Sequence, residues 1–362
     1  MPGRAGRTQV GDRLVQQRSR FLQGGHRERV EDLYVSAQHG LKVLRVTGGD
    51  LGCVIAMLAQ PALAANVKVT PLGGQDGEFC PQDRALILED PNGTRILYDA
   101  GRTVAGADDP RLGKIDIILV SHVHGDHAGN AHNKAPNSGS CEAPDVSVSA
   151  MPNSSTVNIA LAKKAKIVTG SEMPPFFAGK LKANGGDPKN SILARFGGSV
   201  KLGGVTIATV PASHSNGLDP DYIGGELGKT MKDAGIAGYV GEATGYIVKF
   251  SNGLVAYLSG DTGMIAEQDT VVRGHYMAKL VVMNIGDTFT TGPTEAAYVI
   301  NDLIKPASVI PSHANEVATK GGKVLPGTRT DIFLKAVNVP AHVPLSGKVM
   351  EFDGGGHCVA GC

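Results

Sequence analysis

Tryptophan is absent from the 362-residue chain, and aromatic residues make up only 5% of it. That scarcity argues against an aromatic stacking platform for single-stranded nucleic acid. Net charge is equally spare, since 35 Lys and Arg against 34 Asp and Glu leave +1. Such a balance gives no electrostatic case for a nucleic-acid or acidic-polymer partner. No stable membrane span is expected either: the longest apolar stretch, Leu51 to Leu63, is short and interrupted by Gln60 and Pro61. None of the five cysteines has a partner at C-x-x-C spacing, which argues against a structural zinc site. What remains, 41% hydrophobic and 19% charged residues, describes a soluble globular protein with a sizeable core. The length fits one large domain or two ordinary ones.

Residues 1–40 are rich in Arg, Gln and Gly and carry no apolar period. They read as a disordered tail, or as an upstream extension from a start codon set too early. Residues 41–64 have the order of a secretory signal peptide. Lys42 and Arg45 precede the apolar segment, and Ala62-Leu63-Ala64 supplies a small-x-small cleavage site. Export to the periplasm or medium is therefore expected, with mature protein from about Ala65; without a functional signal the chain would be cytoplasmic. The globular domain is then 65–353, followed by a Gly- and Cys-bearing tail, 354–362. Apart from Cys53, four cysteines remain: Cys80, Cys141, Cys358 and Cys362. They allow three disulfide connectivities, and either tail cysteine could reach back to Cys80 or Cys141.

Chemistry concentrates in Ile115–Gly129, IDIILVSHVHGDHAG. A short apolar run with the β-branched content of a buried strand is followed at once by His122, His124, Asp126 and His127. Extended backbone points His122 and His124 to one side. Asp126 and His127 fall on the next turn. Imidazole and carboxylate suit zinc, iron or manganese, and the crowding suggests more than one ion. Histidines beside glycine in a loop are usually inert, but a full His-x-His-x-Asp-His run after an apolar strand is not ordinary core.

Three more strands end in the same residue types. Val205–Gly217, VTIATVPASHSNG, delivers His214, with Asn216 expected at the same cavity. Gly245–Gly263 holds two strands joined through Asn252-Gly253, a hairpin signal, and ends at Asp261. A strand over Ala307–Pro311 delivers His313. Before it, a strand over Lys279–Gly286 leads to a helix that Pro293 starts and Pro306 ends. Ala296, Ala297, Val299, Ile300, Leu303 and Ile304 form its inward face. Further strands are expected in Val67–Gly73, Arg84–Asp90 and Thr94–Gly101. Asp99 ends the last of these, either as a turn cap or as support for a metal-bound histidine. Thr156–Lys166 reads as a helix with Val157, Ile159, Ala160 and Leu161 inward. Met173–Leu181, with Phe176 and Phe177, reads as a loop packed over the core. His132 reads as a loop residue. Loops 130–145, 171–190 and 216–242 are expected to set specificity.

The motifs HVHGDH, ASHSNG, SGDTG, IGDTFTTGPTEAA and IPSHAN together resemble metallo-β-lactamase-fold metallohydrolases. The last two are most similar to the ascorbate-6-phosphate lactonase-like branch. The resemblance covers about Asn66 to Phe352. It implies an α/β (α+β) fold, a four-layered αβ/βα sandwich with the site along one edge between two sheets. It implies that His122, His124 and His214 hold one metal, that Asp126, His127 and His313 hold a second, and that Asp261 bridges them. Two divalent ions, Zn2+ before Mn2+ or Fe, would activate water, with Asp126 orienting it or shuttling a proton. The implied substrate is a small-molecule lactone or ester. A phosphodiester is the alternative, and a non-catalytic exported metal- or ligand-binding protein a second. An oxygen-reducing iron enzyme would need an electron donor, and no flavin-binding segment is visible. True β-lactamases commonly carry Cys or His where Asp261 stands, which weakens an antibiotic-hydrolysing reading.

Overall fold

The computed structural model describes residues 65–362. The N-terminal extension and the signal-like segment lie outside the described residues. Two sheets dominate. The first contains β1 (Val67–Pro71), β2 (Leu86–Glu89), β3 (Arg95–Tyr98), β4 (Ile117–Leu119), β5 (Lys166–Thr169) and β6 (Ser191–Leu193). The second contains β7 (Ser199–Leu202), β8 (Val205–Ala212), β9 (Ala243–Lys249), β10 (Val255–Leu258), β11 (Leu280–Asn284) and β12 (Ser308–Ser312). The chain then returns to the first sheet as β13 (Met350–Phe352) and β14 (Cys358–Ala360). Strand order is β14-β13-β1-β2-β3-β4-β5-β6 in one sheet and β12-β11-β10-β9-β8-β7 in the other.

Alternation along the strands explains the layering. In β3, Ile96 and Tyr98 join a core shared with Val205 and Ile207 of β8 and with Val248 of β9. Their neighbour Leu97 turns to the opposite face. There it packs with Val157 and Ile159 of the helix Ser155–Lys163 and with Phe177 and Leu181 of the helix Met173–Ala183. On the second sheet, Ile247 and Val281 face outward against Ala296, Ile300 and Phe333. Two sheets back to back with helices outside both make the expected αβ/βα sandwich. Among the described residues no helix is long and apolar enough to cross a membrane.

Several local expectations shift. Met173–Leu181 is not a loop: it begins a helix with Pro at its first turn, and Phe177 faces the core while Phe176 is only partly buried. The helix at 155 stops at Lys163 because Lys164 takes a left-handed cap, φ 55°, freeing Lys166 to start β5. Leu161 and Leu303, expected inside, are only partly buried. The tail contributes an edge strand, and its cysteines do not reach back: Cys80 pairs with Cys141, and Cys358 with Cys362.

Tyr246 ties the two sheets together beneath the site. Its buried hydroxyl donates to Val120 O at 2.7 Å or Val168 O at 3.0 Å, both on the first sheet. Tyr246→Phe should lower the free energy of unfolding by about 1–3 kcal/mol, because a buried carbonyl loses its donor. Urea denaturation measures this, and an unchanged midpoint would contradict the assigned role.

Candidate metal centre

The site forms where strands of both sheets end and the backbone becomes free to turn. Beyond β4 the chain stays extended to His124, φ −61° and ψ 150°, then closes one wide turn, Gly125–Gly129, carrying Asp126 and His127. His214 follows β8, Asp261 follows β10 and His313 follows β12 directly. Gly260 permits the turn into Asp261, with φ +61° and no room for a side chain against Ser121 Cβ, which a Cβ would meet at 2.9 Å.

All seven predicted donors come together. His122 Nε2 lies 3.0 Å from His124 Nδ1, and the rings of His122 and His214 are 4.9 Å apart. Asp261 Oδ2 lies 3.9 Å from His122 Nε2, 3.7 Å from His214 Nε2, 3.4 Å from His127 Nε2 and 3.0 Å from His313 Nε2. Asp126 Oδ2 lies 3.7 Å from His127 Nε2 and 3.5 Å from His313 Nε2. Three overlapping trios each place their donor atoms within 4.8 Å: His122, His124 and His214; His122, His127 and Asp261; Asp126, His127 and His313.

The donor set fits cations. Buried polar atoms are normally paired, yet His127 Nε2, both ring nitrogens of His313 and Asp261 Oδ1 are buried without a hydrogen-bond partner. Burial pushes the imidazoles of His122, His124 and His214 down, so they stay neutral with lone pairs free. Burial also opposes charge on His127, but the carboxylates of Asp261, Asp126 and Asp99 overcome it and hold its proton well above the usual imidazole range. Burial would likewise raise Asp261, and the adjoining His127 and His313 instead hold it well below the carboxylate range. The centre is thus a negative pocket that retains a proton where a divalent cation would do better.

Neighbouring side chains fix this geometry. Asp99 Oδ2 accepts from His127 Nδ1 at 2.8 Å and from Ser121 Oγ at 2.7 Å, while Oδ1 accepts from Ser121 N at 2.8 Å. Asp99 is therefore both turn cap and histidine support. Asn216, expected at the cavity, instead accepts from Val123 N at 2.9 Å and so holds the backbone between His122 and His124. His132 donates to Asn133 O at 2.8 Å and is absent from the cavity wall. Asn284 Nδ2 donates to Thr262 O at 3.0 Å, bracing the turn that carries Asp261.

A cavity of about 330 Å³ opens onto Asp126, His214 and Asp261, with Gln82, Arg84, Arg102, Phe289 and Asn315 on its wall. A second, about 440 Å³, meets His124 and is walled by Gly217, Asp219 and Ile236 and by Lys232 of the helix Gly225–Asp233, so the 216–242 stretch expected as a loop is partly helical. Sequence reasoning missed the arginines. Arg84 Nη2 donates to Asp126 Oδ2 at 3.3 Å and to Asn315 Oδ1 at 2.6 Å. Arg102 Nε donates to Asn130 Oδ1 at 2.9 Å. The only sequence signal for Arg102 is its place directly after the Asp99-Ala100-Gly101 turn.

Two outcomes follow for metal-stripped protein. Asp99→Asn should weaken metal binding about 10–100-fold by releasing the His127 ring, whereas equal affinity in calorimetric titration would count against that support. Because His127 holds its proton above the usual range, that proton must leave as a cation enters. Affinity should therefore rise with pH through the neutral region, with proton release read from calorimetry in buffers of different ionisation enthalpy.

Comparison with known proteins gives the family. The family described as "Beta-lactamase superfamily domain" matches residues 82–313. A UPF0173 metal-dependent hydrolase from Polynucleobacter asymbioticus is 30% identical over 289 residues, covering 76% of this chain and 88% of the relative. One from Koribacter versatilis is 27% identical over 237 residues, covering 64% of this chain and 82% of the relative. Among solved structures, Igni18, described as a novel metallo hydrolase from Ignicoccus hospitalis, superposes with a TM-score of 0.52 at 22% identity. That superposition covers 80% of this chain and 99% of the other. The matched span runs from the cavity wall at Gln82 to the last predicted donor at His313, and the chain belongs to the metallo-β-lactamase superfamily, among its metal-dependent hydrolases.

Proposed function

We propose that this hydrolase uses a dinuclear centre, with Zn2+ the first choice, to cleave a small-molecule lactone or related ester. The observation that carries the reading is the convergence of two donor trios on Asp261. His122, His124 and His214 would hold one ion, Asp126, His127 and His313 the other, and Asp261 would bridge. Divalent ions in such sites act as Lewis acids and bring the ionisation of coordinated water toward neutral pH.

The chain's own groups do the positioning. Asp126 is 27% exposed toward the cavity, against 5% for Asp261, so it is the carboxylate available to orient the attacking water. Arg84 clamps Asp126 in place. Phe289 offers an apolar wall for the substrate. The lactone class draws on the likeness of the Ile285–Ala297 block to the ascorbate-6-phosphate lactonase-like branch. A phosphodiester is the second reading, favoured by Arg102 on the cavity wall, where a guanidinium suits phosphate oxygens. Export of a chain starting near Ala65 rests on the signal-like pattern of residues 41–64.

Elemental analysis should find two ions per chain, and a single tightly held ion in active protein would overturn the dinuclear reading. A panel of lactones and phosphodiesters decides the bond: no turnover of either class by fully metallated protein would sink the proposal. Asp261→Ala should cost about 10³-fold or more in kcat/KM, several kcal/mol of transition-state stabilisation. Mere ligand binding would survive that change.

A further inference from the structure

A different donor cluster lies at the far edge of the first sheet. β14 is its outermost strand, separated from β4 by β13, β1, β2 and β3. Cys358 sits opposite Phe352 in the β13–β14 ladder, and the register slips beside that pair. Three residues later Gly361 adopts φ +75°, where a Cβ would collide with Val349 O. Only glycine fits that turn, and it brings Cys362 back beside Cys358, Cα to Cα 6.3 Å.

The third member arrives from another part of the chain. Ala341 bridges to Val309, and His342 N donates to Val309 O at 2.9 Å, which anchors the backbone on β12. The His342 ring packs edge-on to Phe352, 5.7 Å between centroids, and Phe352 is the ladder partner of Cys358. His342 Nε2 is buried and has no hydrogen-bond partner. Ligand atoms of His342, Cys358 and Cys362 all lie within 4.8 Å of one another.

We propose that His342, Cys358 and Cys362 form a second metal site, a two-sulfur, one-nitrogen set for Zn2+ or another thiophilic cation. Such a set takes a tetrahedral ion with one position left to water. Thiolates select softer cations than the His and Asp donors of the hydrolytic centre, so the two sites differ in preference as well as in place. A bound ion would tie the edge strand β14 to the His342 segment. It would also give a partner to a buried imidazole nitrogen that otherwise has none.

The two sulfurs are disulfide-paired in the structure, so the site belongs to the dithiol form. A dithiol reductant supplies the two electrons and two protons that convert the disulfide to thiols and is itself oxidised to a disulfide. Metal binding then releases both thiol protons. This disulfide closes a four-residue separation, against 61 for Cys80–Cys141. It therefore constrains the unfolded chain far less, and Cys362 is exposed to a reductant whereas Cys80 is buried.

The test uses the full chain, reduced with a dithiol, freed of excess reductant and stripped of metal, then titrated with Co2+. Sulfur ligation gives an intense near-ultraviolet charge-transfer band that a His and Asp centre cannot produce. A Co2+ titration carried to about three equivalents, enough for the two positions of the His and Asp centre and this one, should generate the band, and Zn2+ should erase it. Cys358→Ser and Cys362→Ser should each abolish it. His342→Ala should shift the Co2+ midpoint at least about tenfold, with circular dichroism unchanged. No band in the reduced protein would overturn the proposal. So would a band that survives Cys358→Ser, or a midpoint that ignores His342→Ala. Hydrolysis by Cys358→Ser should match the unaltered protein, so failure here leaves the hydrolytic centre untouched.

Discussion

A single carboxylate oxygen, Asp261 Oδ2, lies within 3.9 Å of the Nε2 atoms of four histidines in a nearly sealed space. Nearby stand Asp99 and Asp126, with the Arg84 guanidinium on Asp126. Three carboxylates against one arginine leave negative charge unbalanced in a largely buried cluster. Each uncompensated buried ion costs several kcal/mol. The His127 proton offsets part of this, but its position among three carboxylates is a poor substitute for divalent charge. This donor set suits divalent cations, and the rest of the sandwich holds the donors at fixed spacing.

That rigidity comes from hydrogen bonds crossing between sheets just beneath the donors. Tyr246 reaches Val120 O and Val168 O. Gly260 N donates to the Tyr98 hydroxyl at 2.9 Å, and Thr244 N donates to Ser121 O at 2.8 Å. Each contact joins the sheet that supplies His122, His124, Asp126 and His127 to the sheet that supplies His214, Asp261 and His313. The two halves are therefore fixed at one offset. Left-handed backbone at Asp99, φ 42°, and His313, φ 53°, marks where the chain accepts strain to aim a side chain.

The donors were legible because each one sits at the end of a strand whose apolar character is local. Ile117–Leu119 and Val205–Ala212 show this with neighbours alone. The layers were legible for a similar reason, since alternate residues of Arg95–Tyr98 divide between two cores. Met173–Ala183 was not, because consecutive prolines and paired phenylalanines hide a helical period that tertiary packing imposes. The arginines of the cavity were invisible, since Arg84 meets Asp126 across 42 residues and Asn315 across 231. The His342 cluster was hidden in the same way: its sulfurs miss C-x-x-C spacing, and its imidazole comes from a separate segment.

The two aspartates of the centre are not interchangeable, and their surroundings say why. Asp261 is ringed by four imidazoles and only 5% exposed, so its Oδ2 chiefly serves the cluster. Asp126 opens to the cavity while Arg84 grips one of its oxygens through Nε and Nη2. Burial would raise the Asp126 carboxyl, yet His127, His313 and Arg84 hold it far below the usual carboxylate range. A group so reluctant to take a proton is a weak general base at neutral pH, because efficient proton acceptors titrate near the working pH. On the proposed dinuclear reading, aiming the water fits the surroundings of Asp126 better than carrying the proton. On that reading, proton delivery to the leaving group would fall to another group at the cavity.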